Sequence, residues 1–191
     1  MTFITEHNVT PSRRGVLGLI GGMAALITAP KAFAAPSILK GAGDIRRVNL
    51  TNPRSGEAVN SVYWIEGEYL PEAKAEIDFI LRDWRENLMI DYDFRTLDIL
   101  AATYRLLEVS EPISVVSGYR SPVTNALLRK RNRGVARDSY HTKGMAIDMQ
   151  MKTRSASQLR RAAKQLGAGG VGGYRTFTHI DSGPVRLWGR A

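Results

Sequence analysis

Two of the chain's three histidines have an aspartate close behind them in sequence. His141 precedes Asp148 by seven residues, and His179 precedes Asp181 by two. The chain contains no cysteine, so a metal ion would have to be held by histidine, aspartate or glutamate. The third histidine, His7, lies at the N-terminus, which leaves His141 and His179 as the imidazoles available to a folded domain.

The spacing of these residues fits strands and turns that could bring them together. Gly144 allows a turn after His141, and residues 145–151 alternate like a strand that carries Asp148. Strand alternation also places His179 and Asp181 on one face. Two histidine nitrogens and one carboxylate oxygen, with a fourth position open, form a catalytic zinc site. Taken singly, each pattern is more typical of a hydrogen-bonded structural histidine.

The sequence around these residues carries several further motifs. They are Ser117-Gly-Tyr-Arg-Ser-Pro122, Asn125, Asp138-Ser-Tyr-His141, Gly144-Met-Ala-Ile-Asp148, Gly169-Gly-Val-Gly-Gly-Tyr174 and Phe177-Thr-His-Ile-Asp-Ser-Gly-Pro-Val-Arg-Leu-Trp188. Together they closely resemble the murein endopeptidase K family, within the LAS metallopeptidases (lysostaphin, D-alanyl-D-alanine peptidases and sonic hedgehog). The resemblance covers roughly residues 75 to 190. It implies a LAS-like fold, zinc ligands His141, Asp148 and His179, and a periplasmic enzyme that cuts peptide cross-links in peptidoglycan.

The general base is not assigned by the resemblance. Related enzymes carry a histidine two residues before the last ligand, or a glutamate three before, but this chain has Phe177 and Thr176 there. Asp181 is the nearest carboxylate that could take a proton from the attacking water. Its alternative role is to orient His179 through a hydrogen bond.

Arg120 is the predicted substrate clamp, and the resemblance gives the arginine of this motif the same part. A guanidinium there could bind a peptide carboxylate or stabilise the oxyanion of the reaction; its alternative is a salt bridge that holds the loop. Ser139 is a predicted substrate contact or a turn-forming serine. Asn125 is expected to brace the start of a helix. The glycines of residues 167–173 allow close backbone packing or a mobile rim of the cleft.

Hydrophobic periodicity predicts the elements that must position these side chains. Helices are predicted at 71–86, 94–108, 122–133 and 155–166, and strands at 45–50, 58–65, 113–116, 145–151, 170–173 and 177–180. The first two strands form a hairpin through the turn sequence 52–56. Asp93 is the expected N-cap of the second helix. The pattern predicts an α+β fold with a small, mostly antiparallel sheet and flanking helices.

The N-terminus has the features of an export signal. Arg13 and Arg14 precede an uncharged stretch, residues 15–28, that is too short for a membrane anchor, and an A-x-A site ends at Ala34. The paired arginines favour the twin-arginine route to the periplasm over a general secretory signal or a retained anchor. The predicted organisation is therefore a cleaved leader (1–34), an extension with a hairpin (35–70) and a zinc metallopeptidase domain (71–191).

Charge limits the expected partners. Removing residues 1–34 lowers the formal charge from +9 to +7, so the mature chain is basic. For an exported protein this favours the acidic peptide stems of peptidoglycan over nucleic acid, for which no motif is present. No membrane span is expected after processing, and no pattern assigns an oligomeric state. Two alternatives to the endopeptidase remain, a D,D-carboxypeptidase and a non-catalytic wall-binding module that holds zinc.

Overall fold

The computed structural model describes residues 42–189, which form eight β-strands and four α-helices. In chain order they are β1 (Ile45–Asn52), β2 (Glu57–Ile65), β3 (Glu68–Tyr69), α1 (Pro71–Ile80), α2 (Phe94–Leu107), β4 (Ile113–Ser117), α3 (Pro122–Arg131), β5 (Ala146–Gln150), α4 (Ala156–Gln165), β6 (Gly170–Gly173), β7 (Thr178–Asp181) and β8 (Arg186–Gly189). A short 3-10 helix, Tyr140–Lys143, precedes β5. The predicted leader with His7, and residues 35–41, lie outside the described residues.

The eight strands of the described chain form a single mixed sheet. Their order is β3-β2-β1-β4-β5-β7-β6-β8, and all pairs are antiparallel except β1 with β4 and β6 with β8. The predicted α+β class with a mostly antiparallel sheet is confirmed. The sheet is larger than expected, because β3 and β8 were not predicted and extend its two edges.

The predicted hairpin forms the first part of this sheet. β1 pairs antiparallel with β2, and the turn between them closes where the Gly56 amide donates to the Asn52 carbonyl at 2.8 Å. β1 also pairs with β4 through Leu50 and Ile113. The hairpin therefore shares a continuous ladder of hydrogen bonds with the strands that follow it.

The helices bury one face of the sheet. The core combines helix residues such as Leu97 and Leu100 with strand residues such as Ile147 and Ile180, all almost fully buried. α2 packs on α4, and both contact β7. Because side chains alternate along a strand, Asp148 and His179 lie on the opposite face from their core neighbours. No helix within residues 42–189 is both long and apolar enough to cross a membrane.

The prediction that the first helix reaches residue 86 is wrong. α1 ends at Ile80, and the chain then turns so that Asp83 and Leu88 exchange backbone hydrogen bonds of 2.9 and 3.2 Å. The carbonyl of Leu81 accepts the amide of Tyr119 at 2.7 Å instead of continuing the helix. Trp84, which fitted the helical spacing, is 36% exposed.

The other predicted helices and strands are present with small shifts at their ends. Asp93 caps α2 as expected, since its side chain accepts the Arg95 amide. Ser155 caps α4 with a capping box that includes Gln158. α3 ends at Arg131, two residues earlier than predicted.

A buried ionic network fastens the hairpin to α2. Asp98 is fully buried and accepts hydrogen bonds from Arg46 Nη1 at 2.7 Å, Tyr63 Oη at 2.9 Å and Tyr69 Oη at 2.8 Å. Burial and the Asp98 charge both raise the pKa of Tyr63, so its hydroxyl stays protonated and donates. Each buried polar group in the network therefore depends on one carboxylate.

Replacing Asp98 is expected to destabilise the protein strongly. Asp98→Ala leaves the Arg46 guanidinium buried without a counter-charge, and we expect a loss of about 3–5 kcal/mol in the free energy of unfolding. The measurement is urea unfolding followed by circular dichroism. The matched control is Asp44→Ala, because Asp44 is exposed. A similarly small loss, below about 1 kcal/mol, in both variants would contradict the role given to the network.

Candidate metal centre

Three predicted ligands come from three separate elements of the fold. His141 lies in the 3-10 helix, Asp148 in β5 and His179 in β7. Asp148 and His179 are direct partners in the antiparallel register of β5 and β7. The Ser139 side chain begins the 3-10 helix by accepting the His141 amide, and Gly144 ends it with φ +65°. All three side chains are buried.

The potential ligand atoms converge on one point. His141 Nε2 lies 3.2 Å from His179 Nδ1 and 3.2 Å from Asp148 Oδ1, and His179 Nδ1 lies 2.8 Å from the same oxygen. Zinc binds histidine nitrogen at about 2.0–2.1 Å, so neighbouring ligands of a tetrahedral ion lie about 3.3 Å apart. The observed triangle is close to that size, and the three residues form a group that could hold a metal ion.

The outer hydrogen bonds of the two imidazoles determine where their protons lie. His141 Nδ1 lies 2.7 Å from the Gly118 carbonyl, which can only accept, so this nitrogen carries the proton. His179 Nε2 donates in the same way to Asp181 Oδ2 at 2.9 Å. The inner nitrogens are then free to act as acceptors, and they face a carboxylate. Three acceptors this close need a cation among them, either a further proton or a metal ion.

Burial and nearby charges shift the pKa values of the ligands in different directions. Burial alone would raise the pKa of Asp148, but its interactions with His141 and His179 outweigh burial and hold the pKa well below its usual range. Burial lowers the pKa of His141. Burial also opposes charge on His179, yet hydrogen bonds to Asp148 and Asp181 outweigh it and raise the pKa. A metal ion at this point would replace a proton on the inner nitrogen, His179 Nδ1, and would leave the Nε2 proton in place.

Arg120 lies beside the three candidate metal ligands and is paired with one of them. Its Nη2 donates to Asp148 Oδ2 at 2.5 Å, its Nε donates to Ser117 Oγ at 2.8 Å, and its amide donates to the His141 carbonyl at 3.2 Å. The guanidinium thus holds the carboxylate oxygen that does not face the two imidazoles. Within the described range Nη1 makes no hydrogen bond, and Arg120 is one of the residues that line the cleft.

Asp181 lies behind His179, on the side away from the other ligands. It is fully buried, and its two oxygens accept His179 Nε2, Arg186 Nη1 at 3.0 Å and Nη2 at 2.7 Å, and the amides of Gly170 and Gly183. Burial would raise its pKa, but these bonds, led by His179 and Arg186, outweigh burial and lower it. This placement suits the orienting role better than the role of base, because both oxygens are occupied.

Asn125 and Ser139 support the loop on one side of the centre. Asn125 Nδ2 donates to the carbonyls of Ala136 at 3.1 Å and Arg137 at 3.3 Å. Asn125 therefore braces this loop, whereas the sequence predicts that it braces the start of its own helix. Ser139 is buried and caps the 3-10 helix, although it also borders the cleft.

A cleft of about 500 Å³ opens over the three ligands. One wall of this cleft is aromatic. The sequence analysis assigned no role to the residues that form this wall. The Trp188 ring centroid lies 5.1 Å from that of His179, and Trp188 Nε1 donates to Tyr174 Oη at 3.2 Å. Arg186 stacks against both Trp188 and Tyr140, each at 4.9 Å. Leu187 between them is exposed, and the placement of Arg186 and Trp188 at the cleft depends on the pairing of β8 with β6, which the sequence did not predict.

The glycine run after α4 allows this wall to approach the sheet. A Cβ atom built on Gly172 would lie 2.6 Å from the Trp188 ring, and one on Gly170 would lie 2.4 Å from Asp181 Oδ2. Real side chains do not approach so closely, so any larger residue would displace Trp188 or Asp181. The expectation of close backbone packing is confirmed.

Comparison with known proteins identifies a family. A family model described as peptidoglycan L,D-endopeptidase MepK matches residues 40–188. The chain is 39% identical to the peptidoglycan L,D-endopeptidase MepK of Escherichia coli (strain K12) over 181 residues, which are 93% of this chain and 97% of the relative. It is 34% identical over 148 residues, 75% of the chain and 78% of the relative, to the probable peptidoglycan L,D-endopeptidase MepK of Haemophilus influenzae.

Loss of one ligand is expected to abolish tight metal binding. Asp148→Ala should weaken zinc binding by more than about 100-fold, because a lost ligand costs more than the 10–100-fold typical of an outer partner. Zinc titration of the metal-free protein by calorimetry measures this. Asp138→Ala is the control, since its side chain is 82% exposed and pairs with Lys143. Equal affinities in the two variants would place the metal elsewhere.

Proposed function

The chain belongs to the peptidoglycan L,D-endopeptidase MepK family, and from this we propose that it is a zinc-dependent endopeptidase of the bacterial cell wall. It hydrolyses peptide bonds in the cross-links between peptidoglycan stems, and the name of its relatives assigns the bond between an L-centre and a D-centre. Of the structural observations, the one that carries the proposal is the triangle of His141, Asp148 and His179 acceptor atoms at the floor of an open cleft.

His141, Asp148 and His179 are the residues that would hold the zinc. Two nitrogens and one carboxylate oxygen suit zinc, and they leave a ligand position for water or substrate. When bound, zinc would polarise the scissile carbonyl and lower the pKa of the attacking water. The chain's own contribution is to fix the ligand atoms from behind, through Gly118, Arg120 and Asp181.

Arg120 serves two purposes in this proposal. Its Nε and Nη2 are engaged with Ser117 and Asp148, which orients the carboxylate ligand. Arg120 lines the cleft, and its remaining nitrogen, Nη1, is the group we assign to stabilise the oxyanion that forms as the carbonyl is attacked, or to bind a stem carboxylate. Ser139 contributes a hydroxyl at the same side of the cleft. Asp181 orients His179 and does not act as the base.

The proposed location is the periplasm, reached by export through the twin-arginine route with cleavage after Ala34. The signal features of residues 1–34 and the cell-wall substrate of the relatives support it. The formal charge of +7 on the remaining chain suits a polymer rich in carboxylates. We propose residues 71–191 as the catalytic domain, preceded by an extension at 35–70 that contributes the hairpin.

Digestion of purified, cross-linked peptidoglycan tests the activity. We expect the mature chain to remove cross-linked dimers, a chelator to stop it, and zinc to restore it, with products identified by mass spectrometry. His141→Ala should be inactive while keeping its circular dichroism spectrum. Release of terminal D-alanine alone would indicate a D,D-carboxypeptidase. Binding of the wall without any cleavage would indicate a non-catalytic module.

Asp181→Asn separates the orienting role from that of a base. An orienter acts through His179, so we expect zinc affinity to fall by about 10–100-fold and kcat to recover largely at saturating zinc. The measurements are zinc titration and peptidase rates over a series of zinc concentrations. A variant that keeps full zinc affinity but loses kcat by about 100-fold or more would instead identify Asp181 as the base.

A further inference from the structure

The turn that follows α1, residues 81–88, is fastened to the loop that supports the metal centre. The Leu81 carbonyl accepts the Tyr119 amide at 2.7 Å, and Asp83 Oδ2 accepts the Ser121 amide at 2.9 Å. Arg120 lies between these two contacts. A Cβ atom on Gly118 would lie 2.3 Å from the Leu81 carbonyl oxygen, so the two segments are in direct backbone contact. Side chains of this turn therefore lie beside the Arg120 loop.

The turn presents an exposed tryptophan that holds two arginines. Trp84 is flanked by Arg85, whose Cζ lies 4.3 Å from the ring centroid, and by Arg54 of the β1–β2 turn at 5.5 Å. Within residues 42–189, neither guanidinium takes part in a salt bridge. Arg82 differs, because it binds Glu57 through two hydrogen bonds of 2.7 and 2.8 Å. Two guanidiniums thus lie against one ring without a salt-bridge partner among the described residues.

Further positive charge lies close to these two arginines. Burial lowers the pKa of Arg85, and the guanidiniums of Arg54, Arg120 and Arg131 lower it further, against the opposing effect of Asp83. Asp83, whose oxygens accept the amides of Ser121 and Arg85, supplies a single negative charge beside this group. Of these four guanidiniums, Arg120 is paired with Asp148. Arg54, Arg85 and Arg131, with Asp83 as their neighbouring carboxylate, leave a local excess of positive charge that a bound anion would reduce.

We propose that Arg54, Trp84 and Arg85 form a carboxylate-binding surface beside the cleft, which holds the anionic stem peptides of peptidoglycan. Guanidiniums bind carboxylates through paired hydrogen bonds, and stacking on Trp84 orders both groups before the ligand arrives. The proposal rests on the proposed function, because the turn that carries Trp84 and Arg85 contacts the loop of Arg120, a residue that lines the proposed catalytic cleft. An anionic membrane is a weaker candidate. Both guanidiniums lie against the Trp84 ring, where they would hinder its insertion into lipid.

Steady-state kinetics on a soluble cross-linked muropeptide test the surface in the zinc-loaded mature protein. The double variant Arg54→Gln/Arg85→Gln should raise KM about three- to tenfold and leave kcat unchanged. A rise of this size is expected from the loss of two solvated ion pairs with the substrate. The increase should disappear with a substrate whose carboxylates are amidated. The control is Arg161→Gln with Lys164→Gln, which removes the same charge from exposed positions on α4. An equal rise in KM in the control, or no rise in either variant, overturns the proposal.

Sedimentation with intact sacculi and with anionic lipid vesicles gives a readout that does not depend on catalysis. Weaker binding of the Arg54 and Arg85 variant to sacculi, with vesicle binding unaffected, supports the surface. Loss of vesicle binding with sacculus binding retained overturns it in favour of a membrane contact. If the unmodified protein binds sacculi but cleaves nothing, the proposed function fails while the surface is still tested by these assays.

Discussion

The placement of two imidazole protons governs the construction of the candidate metal centre. Gly118 and Asp181 accept the outer protons of His141 and His179, so both inner nitrogens present lone pairs to Asp148. Arg120 binds the other oxygen of that carboxylate. Each ligand is therefore held from behind by a different part of the chain. The cost of burying these acceptors is offset only if a cation joins them.

The sheet supplies the accuracy that this arrangement needs. Asp148 and His179 are paired residues of β5 and β7, and a shift of one residue would replace a ligand by a core isoleucine such as Ile147. Packing of the helices against the opposite face makes that shift unfavourable, because it would expose apolar side chains. The hydrophobic core thus fixes the positions of polar groups that it does not contact.

The sequence was sufficient to predict those features that depend on local pattern. Strand alternation placed His179 and Asp181 on one face. The spacing of histidine and aspartate gave candidate ligands, and the family resemblance implied the set of His141, Asp148 and His179, which the structure brings together. Features determined by distant segments were missed. α1 stops early because Leu81 binds Tyr119, and Arg186 and Trp188 join the cleft only after β8 pairs with β6. The surroundings of Asp181 likewise depend on Arg186, which periodicity does not reveal.

The ligands and their supports are widely separated along the chain. Gly118 and His141 are 23 residues apart, and Asp148 and His179 are 31 apart. In an unfolded or partly folded chain these side chains are not held together, because loop closure without packing is entropically unfavourable. Hydrolytic competence thus arises together with cooperative folding. A chain that is still unfolded is therefore inert toward peptide bonds, and completion of the sheet brings the candidate ligands together.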